Sequence, residues 1–425
     1  MIRWQADVVV VGGGPAGAAS AAFLARNGIR VLLLDRKHFP RSKPCGDCLS
    51  PPAALILKEL GVLESVLAAG PARLDGWKVF APNGASFAGT FRNAADGNAL
   101  LESALAFRRD RLDHVLLTAA RDAGVSVVTG ARVDDVLRDA SGRVSGVSGR
   151  TIDGEPFTAG ARLVIGADGL RSVVARRLKL LRRRPRLRKA SCSIRLSGFT
   201  DAGSLGELHI GPEATAGFAP ISAPEASGAC EVNLTVVVPA GRARNSGGAR
   251  PLLWSAARSI PTLREQLARL ETLDAAQRPP VLASGPFDLA TRDVMVPGAV
   301  LAGDAAGYFD PFTGQGIYHA LADARILSAS VPAALGARSP RDEIRAMKGY
   351  ARQHRRMIRE AEALQRLIDA VIRRPQLASL AVHRLAHAHA AADALIAATG
   401  DLRRARSLLL PRVLLALLAP TGSLS

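Results

Sequence analysis

The chain has 425 residues, 48% hydrophobic and 22% charged, so it holds ample apolar surface to bury and is neither disordered nor fibrous. Its formal net charge of +19 draws anions such as nucleic acid, acidic lipid headgroups or phosphorylated cofactors, and says nothing about fold. Four cysteines (Cys45, Cys48, Cys192, Cys230) are too few for a disulfide framework, and no apolar run is long enough to span a bilayer.

Val8–Val11 follows Asp7 directly and opens into glycines without a cleavage site, so a cytoplasmic location is expected. Ala6–Val11 is a continuous apolar, β-branched run, the pattern of a parallel strand buried on both faces. A small-residue helix from Pro15 to Asn27 follows, with Gly28 as its C-cap, and then a second buried strand, Ile29–Leu34, closed by Asp35. Ala54–Leu60 reads as a short helix ended by Gly61, and Trp77–Phe91 as strand broken by turn residues. Arg111–Ala123 is an amphipathic helix with Leu112, Val115, Leu116 and Ala119 on one face. Val125–Val128 and Arg162–Ala167 are strands, with a hairpin at Val144–Ile152. A basic run, Arg182–Lys189, then leads into alternating segments, Ser191–Ser197 and Glu231–Val238, which suit an antiparallel sheet with one face covered. Val300–Gly303 is again a buried strand, followed by a glycine loop and a helix from Gly316, and Pro340 to Pro411 is nearly all helix.

Gly12-Gly13-Gly14-Pro15-Ala16-Gly17 satisfies G-x-G-x-x-G between the first strand and helix. Gly12 makes the tight turn, Gly14 lets a pyrophosphate approach the backbone, and Gly17 allows the helix to pack on the strand. The helix N-terminus faces the phosphates, and Asp35 stands where a carboxylate accepts from ribose hydroxyls. Strand, loop, helix, strand and acid in this order point to a dinucleotide.

Two later segments, Gly166-Ala167-Asp168-Gly169-Leu170-Arg171-Ser172 and Leu301-Ala302-Gly303-Asp304-Ala305-Ala306-Gly307, each follow a buried strand. With the first motif they resemble the three fingerprints of FAD-dependent aromatic hydroxylases and their relatives, the geranylgeranyl reductases. The resemblance implies an α/β fold: a discontinuous Rossmann-like FAD-binding domain of glutathione reductase type, an inserted antiparallel-sheet substrate domain, and a helical C-terminal region. The FAD-binding parts would be 1–75, 100–180 and 285–335, the substrate sheet 76–99 and 181–284, and the helical region 336–425. Asp304 would bind the ribityl chain, Asp168 would sit near the pyrophosphate and the nicotinamide approach, and Arg109 would contact the flavin. The same resemblance extends cofactor binding to Arg36, Val133, Gly303 and Ile317. Asp310-Pro311-Phe312-Thr313-Gly314-Gln315-Gly316 would bring Pro311, Gly314 and Gly316 against the flavin, with a positive helix end at its N1–C2=O edge.

Pro44-Cys45-Gly46-Asp47-Cys48 resembles the Cys-Gly-Asp loop of the geranylgeranyl-reductase-like branch, which makes Cys45 and Asp47 candidates for the catalytic pocket. By spacing alone, Cys45-x-x-Cys48 also fits a redox pair or packed thiols; no second such pair follows, so no metal is expected. The chain departs from that branch at Gly217-Phe218-Ala219-Pro220-Ile221-Ser222, which lacks the aromatic Tyr-x-Trp-x-Phe-Pro signature, and it lacks the Trp-x-Trp-x-Ile-Pro motif of flavin halogenases. His383 and His387 have metal-ligand spacing without an adjacent Glu, and read as a solvated helix face. The run Arg182–Lys189 has no interleaved aromatics, so nucleic acid is not an expected partner; a solvated edge or an acidic membrane surface, such as the inner membrane, takes its charge. The apolar stretch Leu408–Leu418 reads as a core helix, a dimer face or a membrane-surface contact, and both monomer and homodimer stay open.

The expected function is an FAD-dependent oxidoreductase, driven by NADH or NADPH, acting on a hydrophobic small molecule. Hydroxylation of an aromatic or polyketide-like substrate competes with C=C reduction of a prenyl or lipid chain, and the missing prenyl-reductase signature tilts toward hydroxylation. A flavin-binding regulator without catalysis is the reading outside the enzymes.

Overall fold

A computed structural model describes residues 1–182, 189–287 and 289–409. Most of the basic run 182–189, and the apolar stretch 408–418 beyond residue 409, lie outside the described residues.

The larger sheet is built around the strand Ile2–Val11, which pairs in parallel with Val31–Asp35 on one side and Pro156–Gly166 on the other. Ser126–Thr129 and Ala299–Leu301 extend it in parallel at the two flanks. Val8, Val9, Val10, Leu33, Val164 and Ile165 are fully buried. Burial on both faces is why these strands carry unbroken apolar runs, each side chain contributing about 1.5–3 kcal/mol. The helix Pro15–Arg26 covers one face through Ala18, Ala19, Ala21 and Ala22. Their small size lets it pack between the helices Arg109–Asp122 and Gly316–Leu335.

The second sheet runs Leu282–Ser284, Lys189–Phe199, Cys230–Pro239, Thr215–Pro220, Leu205–Ile210, Gly76–Phe80 and Ser86–Thr90. It is not wholly antiparallel as expected, because Leu205–Ile210 pairs in parallel with Gly76–Phe80. Gly76–Phe80 enters from an earlier part of the chain, so no tight turn dictates opposite directions. Alternation gives the sheet two faces. Cys192, Ile194, Leu196, Val232, Leu234 and Val236 pack with Leu252, Leu253 and Trp254 of the helix Ala249–Arg258. Ser191, Ser193, Arg195, Asn233 and Thr235 alternate with them and present the other face.

The C-terminal helices brace both sheets. Pro340–Ile372 packs along Gly316–Leu335. Its buried Tyr350 donates to the Leu301 carbonyl at 2.6 Å, and its His354 pairs with Asp323 at 2.8 Å. Pro375–His387 and His389–Thr399 close over the edge strand Ser86–Thr90. The approach there is so close that a Cβ on Gly89 would lie 2.6 Å from Ile396 and 2.7 Å from the Ala392 carbonyl oxygen.

Candidate functional site

The glycine loop leaves the first strand with Gly12 at φ +103°, where a Cβ would sit 2.4 Å from the Ala167 carbonyl oxygen. Gly17 is held still more tightly, 1.8 Å from the Gly12 oxygen by the same measure. Asp35 accepts from Gly13 N at 2.7 Å and from Lys37 N at 2.8 Å, fixing the loop against the end of the second strand. Arg41 bridges this carboxylate and Asp113, at 3.6 and 3.4 Å. The helix that follows has no side-chain N-cap and no acid in its first turn, so its free N–H groups face outward for an anion.

The Cys-Gly-Asp loop is clamped onto the polar face of the second sheet. Asp47 is fully buried in the left-handed region at φ 57°. Arg195 grips its carboxylate from Nε at 2.5 Å and Nη2 at 2.8 Å, and Asn233 Nδ2 adds a third bond at 2.6 Å. Asn233 Nδ2 also donates to the Cys45 carbonyl at 2.9 Å. Cys45 lines a cavity between the two sheets' loops, and Asp47 does not. The Asp47 carboxylate is held by Arg195 and Asn233 of the sheet and by the Arg109 N–H at 3.2 Å. Arg109 is buried beside Cys45 and forms a fork with Asp113 at 2.8 and 3.0 Å. Burial opposes its charge, but Asp113 and the Cys45 thiol outweigh this and raise it above the ordinary arginine range. Burial pushes the Cys48 thiol up to about 12, with Cys45 and Asp47 adding to the effect.

The third motif closes the cavity. Gly303 donates from its N–H to Asp323 at 2.9 Å, and Lys43 reaches Asp304 at 3.5 Å. The helix Gly316–Leu335 also starts without a side-chain cap or a first-turn acid. Pro15 and Ala16 of one helix and Gly316 and Ile317 of the other line the same cavity, together with Gly14, Arg109, Asp304, Pro311 and Gly314. Two uncapped positive helix ends on one cavity fit a molecule with two anionic portions, a pyrophosphate and the pyrimidine edge of a flavin.

The remaining expected residues stand outside the cavity wall. Gly12 and Gly17 hold the loop, Arg36 is exposed, and Val133 is buried in a ladder opposite Gly149. Asp168 Oδ2 accepts from Val173 N at 2.6 Å. Its Oδ1 is buried without a partner, and burial raises the carboxyl above its usual range. Sequence reasoning missed Lys43, Tyr308, Phe287, Ser191, Thr235 and Ser284, all in the wall. The polar phase of the Ser191–Ser197 alternation was the available signal for Ser191. His383 and His387 are exposed with ring centroids 4.9 Å apart.

Residues 5–220 match the FAD binding domain family. The chain is 31% identical over 338 residues to a menaquinone reductase of Mycolicibacterium smegmatis, covering 76% of this chain and 75% of the relative. It is 28% identical over 355 residues to a geranylgeranyl diphosphate reductase of Rhodobacter capsulatus, covering 82% and 80%. Among solved structures, a myxobacterial chondrochloren halogenase superposes with a TM-score of 0.75 at 23% identity, covering 86% of this chain and 82% of that one, which shows a shared fold. The chain belongs to the FAD-binding-domain family and is an FAD-dependent oxidoreductase. A flavin-binding regulator without catalysis is thereby set aside.

Proposed function

We propose that this oxidoreductase saturates a carbon–carbon double bond in an isoprenoid lipid, such as the side chain of a menaquinone, with electrons from NADH or NADPH. The observation that carries this reading is the similarity to a menaquinone reductase over three quarters of both chains. It outweighs the tilt toward hydroxylation drawn from Gly217–Ser222.

When bound and reduced, FAD supplies the hydride. The chain's own residues supply the rest. Gly14, Pro15 and Ala16 would hold the pyrophosphate, and Asp304 the ribityl hydroxyls, exchanging its contact with Lys43. The N-terminus of Gly316–Leu335 favours negative charge at the pyrimidine edge. Cys45, oriented through its carbonyl by Asn233, would hand a proton to the carbon left electron-rich, and Arg109 beside it would offset the charge that remains. Hydride and proton together account for the two hydrogens added.

The hydroxyls of Ser191, Thr235 and Ser284 in the cavity wall favour a second reading, hydroxylation of an oxygenated aromatic substrate. One anaerobic incubation of flavin-loaded protein with NADPH and a menaquinone separates the two. A product carrying two more hydrogens, formed without oxygen, supports reduction. A product carrying a new oxygen atom, formed only when oxygen is admitted, overturns it.

A further inference from the structure

Among the described residues few large apolar side chains are exposed, yet three fall close together in sequence around one turn of the C-terminal region. Leu367, on the last turns of Pro340–Ile372, is 60% exposed, and Leu377 and Leu380, on the first turns of Pro375–His387, are 45% and 53% exposed. The sequence around them is basic. Between Asp369 and Asp393 there is no carboxylate, while Arg373, Arg374, His383, Arg384, His387 and His389 all fall there. The side chains of Arg366 and Arg373 are 49% and 55% exposed, each paired one turn back, with Glu362 at 3.0 Å and Asp369 at 2.7 Å.

The inner face of the same helix is different. Ala378, Val382 and Leu385 are buried in an apolar cluster with Ile210 and Ala219 of the second sheet and the adjoining Ile221, and that cluster includes Cys48. Cys48 is also part of the flavin-cavity wall. The helix Pro375–His387 thus stands one helix thick between solvent and an apolar region that ends at the cavity.

We propose that this face docks on an anionic lipid bilayer, with Pro375–His387 lying in the headgroup plane and Leu377 and Leu380 among the acyl chains. Two exposed leucines one turn apart, Leu377 and Leu380, on a helix that carries basic residues and no acid, are the pattern of an interfacial helix. Arginine stems lie along apolar surface while their guanidinium groups meet lipid phosphates. No helix among the described residues is long and apolar enough to cross a membrane, so the contact is made in the surface plane. The proposal rests on the lipid-substrate reading for its purpose, since a chain drawn from the bilayer would enter beneath this helix toward Cys48.

The test is flotation of the full-length, FAD-loaded protein with phosphatidylcholine vesicles, with and without phosphatidylglycerol. The wild type floats with the anionic vesicles, and salt weakens the binding. The double variant Leu377→Glu/Leu380→Glu lowers the partition coefficient about tenfold or more. It keeps its flavin content and melting temperature, because both side chains are already exposed. It also keeps its rate on a short-chain, water-soluble quinone while losing its rate on a long-chain quinone held in vesicles. Flotation needs no turnover, so failure of the reductase reading would leave this result standing. The proposal is overturned if the wild type does not float, or if the double variant floats as well as the wild type. It is equally overturned if neutralising the run 182–189 abolishes binding by itself, or if the leucine substitutions only split a dimer.

Discussion

Arg195 and Asp47 form a two-bond fork, at 2.5 and 2.8 Å, between residues 148 apart in sequence. One belongs to the second sheet and the other to the loop that forms a wall of the flavin cavity, so the fork sets the distance between the two layers. Asp47→Ala leaves the Arg195 guanidinium, 10% exposed, without its counter-charge. Removing one partner of a buried pair costs about 3–5 kcal/mol. Urea unfolding followed by circular dichroism should show a loss of that size, with a smaller loss for Asp47→Asn, which keeps the volume and part of the bonding. Equal stability of Asp47→Ala and wild type would show that the fork contributes nothing.

The glycines of the cavity separate into those that need to be glycine and those that do not. A Cβ at Gly17 would meet the Gly12 oxygen at 1.8 Å, whereas one at Gly46 meets nothing within 4 Å. Gly17→Ala should purify with little flavin, its FAD dissociation constant raised more than about tenfold, because the helix end is pushed off the strand. Gly46→Ala should retain its yellow colour. The ratio of absorbance at the flavin band to that at the protein band reads both.

The first strand, glycine loop, helix and Asp35 were legible because their signals are local: an unbroken apolar run, then glycines, then small residues. The clamp was not. The partners of Asp47, Arg195 and Asn233, lie 148 and 186 residues away, beyond the reach of any local pattern. The parallel pairing of Gly76–Phe80 with Leu205–Ile210 was hidden for the same reason. The alternation of Ser191 and Ser193 with Cys192 and Ile194 was visible, but alternation does not say which face meets a cavity. The support that Tyr350 and His354 give the third motif comes from a helix whose sequence carries only an amphipathic pattern.

The cysteines should differ in reactivity. Cys45 is half-buried at the cavity, while Cys48, Cys192 and Cys230 are buried. Burial holds the Cys48 thiol up at about 12 and Cys192 at about 11, which keeps both protonated near neutral pH, and the thiolate is the nucleophile. Brief iodoacetamide treatment of the folded protein at about pH 8 should label Cys45 alone, by peptide mass spectrometry. Cys45→Ser should keep its flavin while losing at least about tenfold in turnover, as expected for a lost proton donor. Comparable labelling of Cys45 and Cys48 would instead favour a redox pair.

Beside the helix Gly316–Leu335, Asp401 accepts from His319 Nε2 at 3.0 Å, from Gln315 Nε2 at 2.8 Å and from Ser50 Oγ at 3.0 Å. Burial works against an imidazolium at His319, but the Asp401 carboxylate, with Asp323 and Asp304, overrides it and raises His319 above its ordinary 6.5. A base whose folded value is raised contributes stability that is fully present below the unfolded value of 6.5 and is lost as pH rises through the folded one. The stability difference between wild type and His319→Gln, from urea midpoints, should therefore be largest below pH 6.5 and shrink as the pH rises above it. Because Asp401 also holds Gln315 at the start of the helix proposed to meet the flavin, flavin release from the wild type should quicken over the same window. A difference that stays constant with pH would mean that His319 is neutral in the folded protein and acts only as a hydrogen-bond donor.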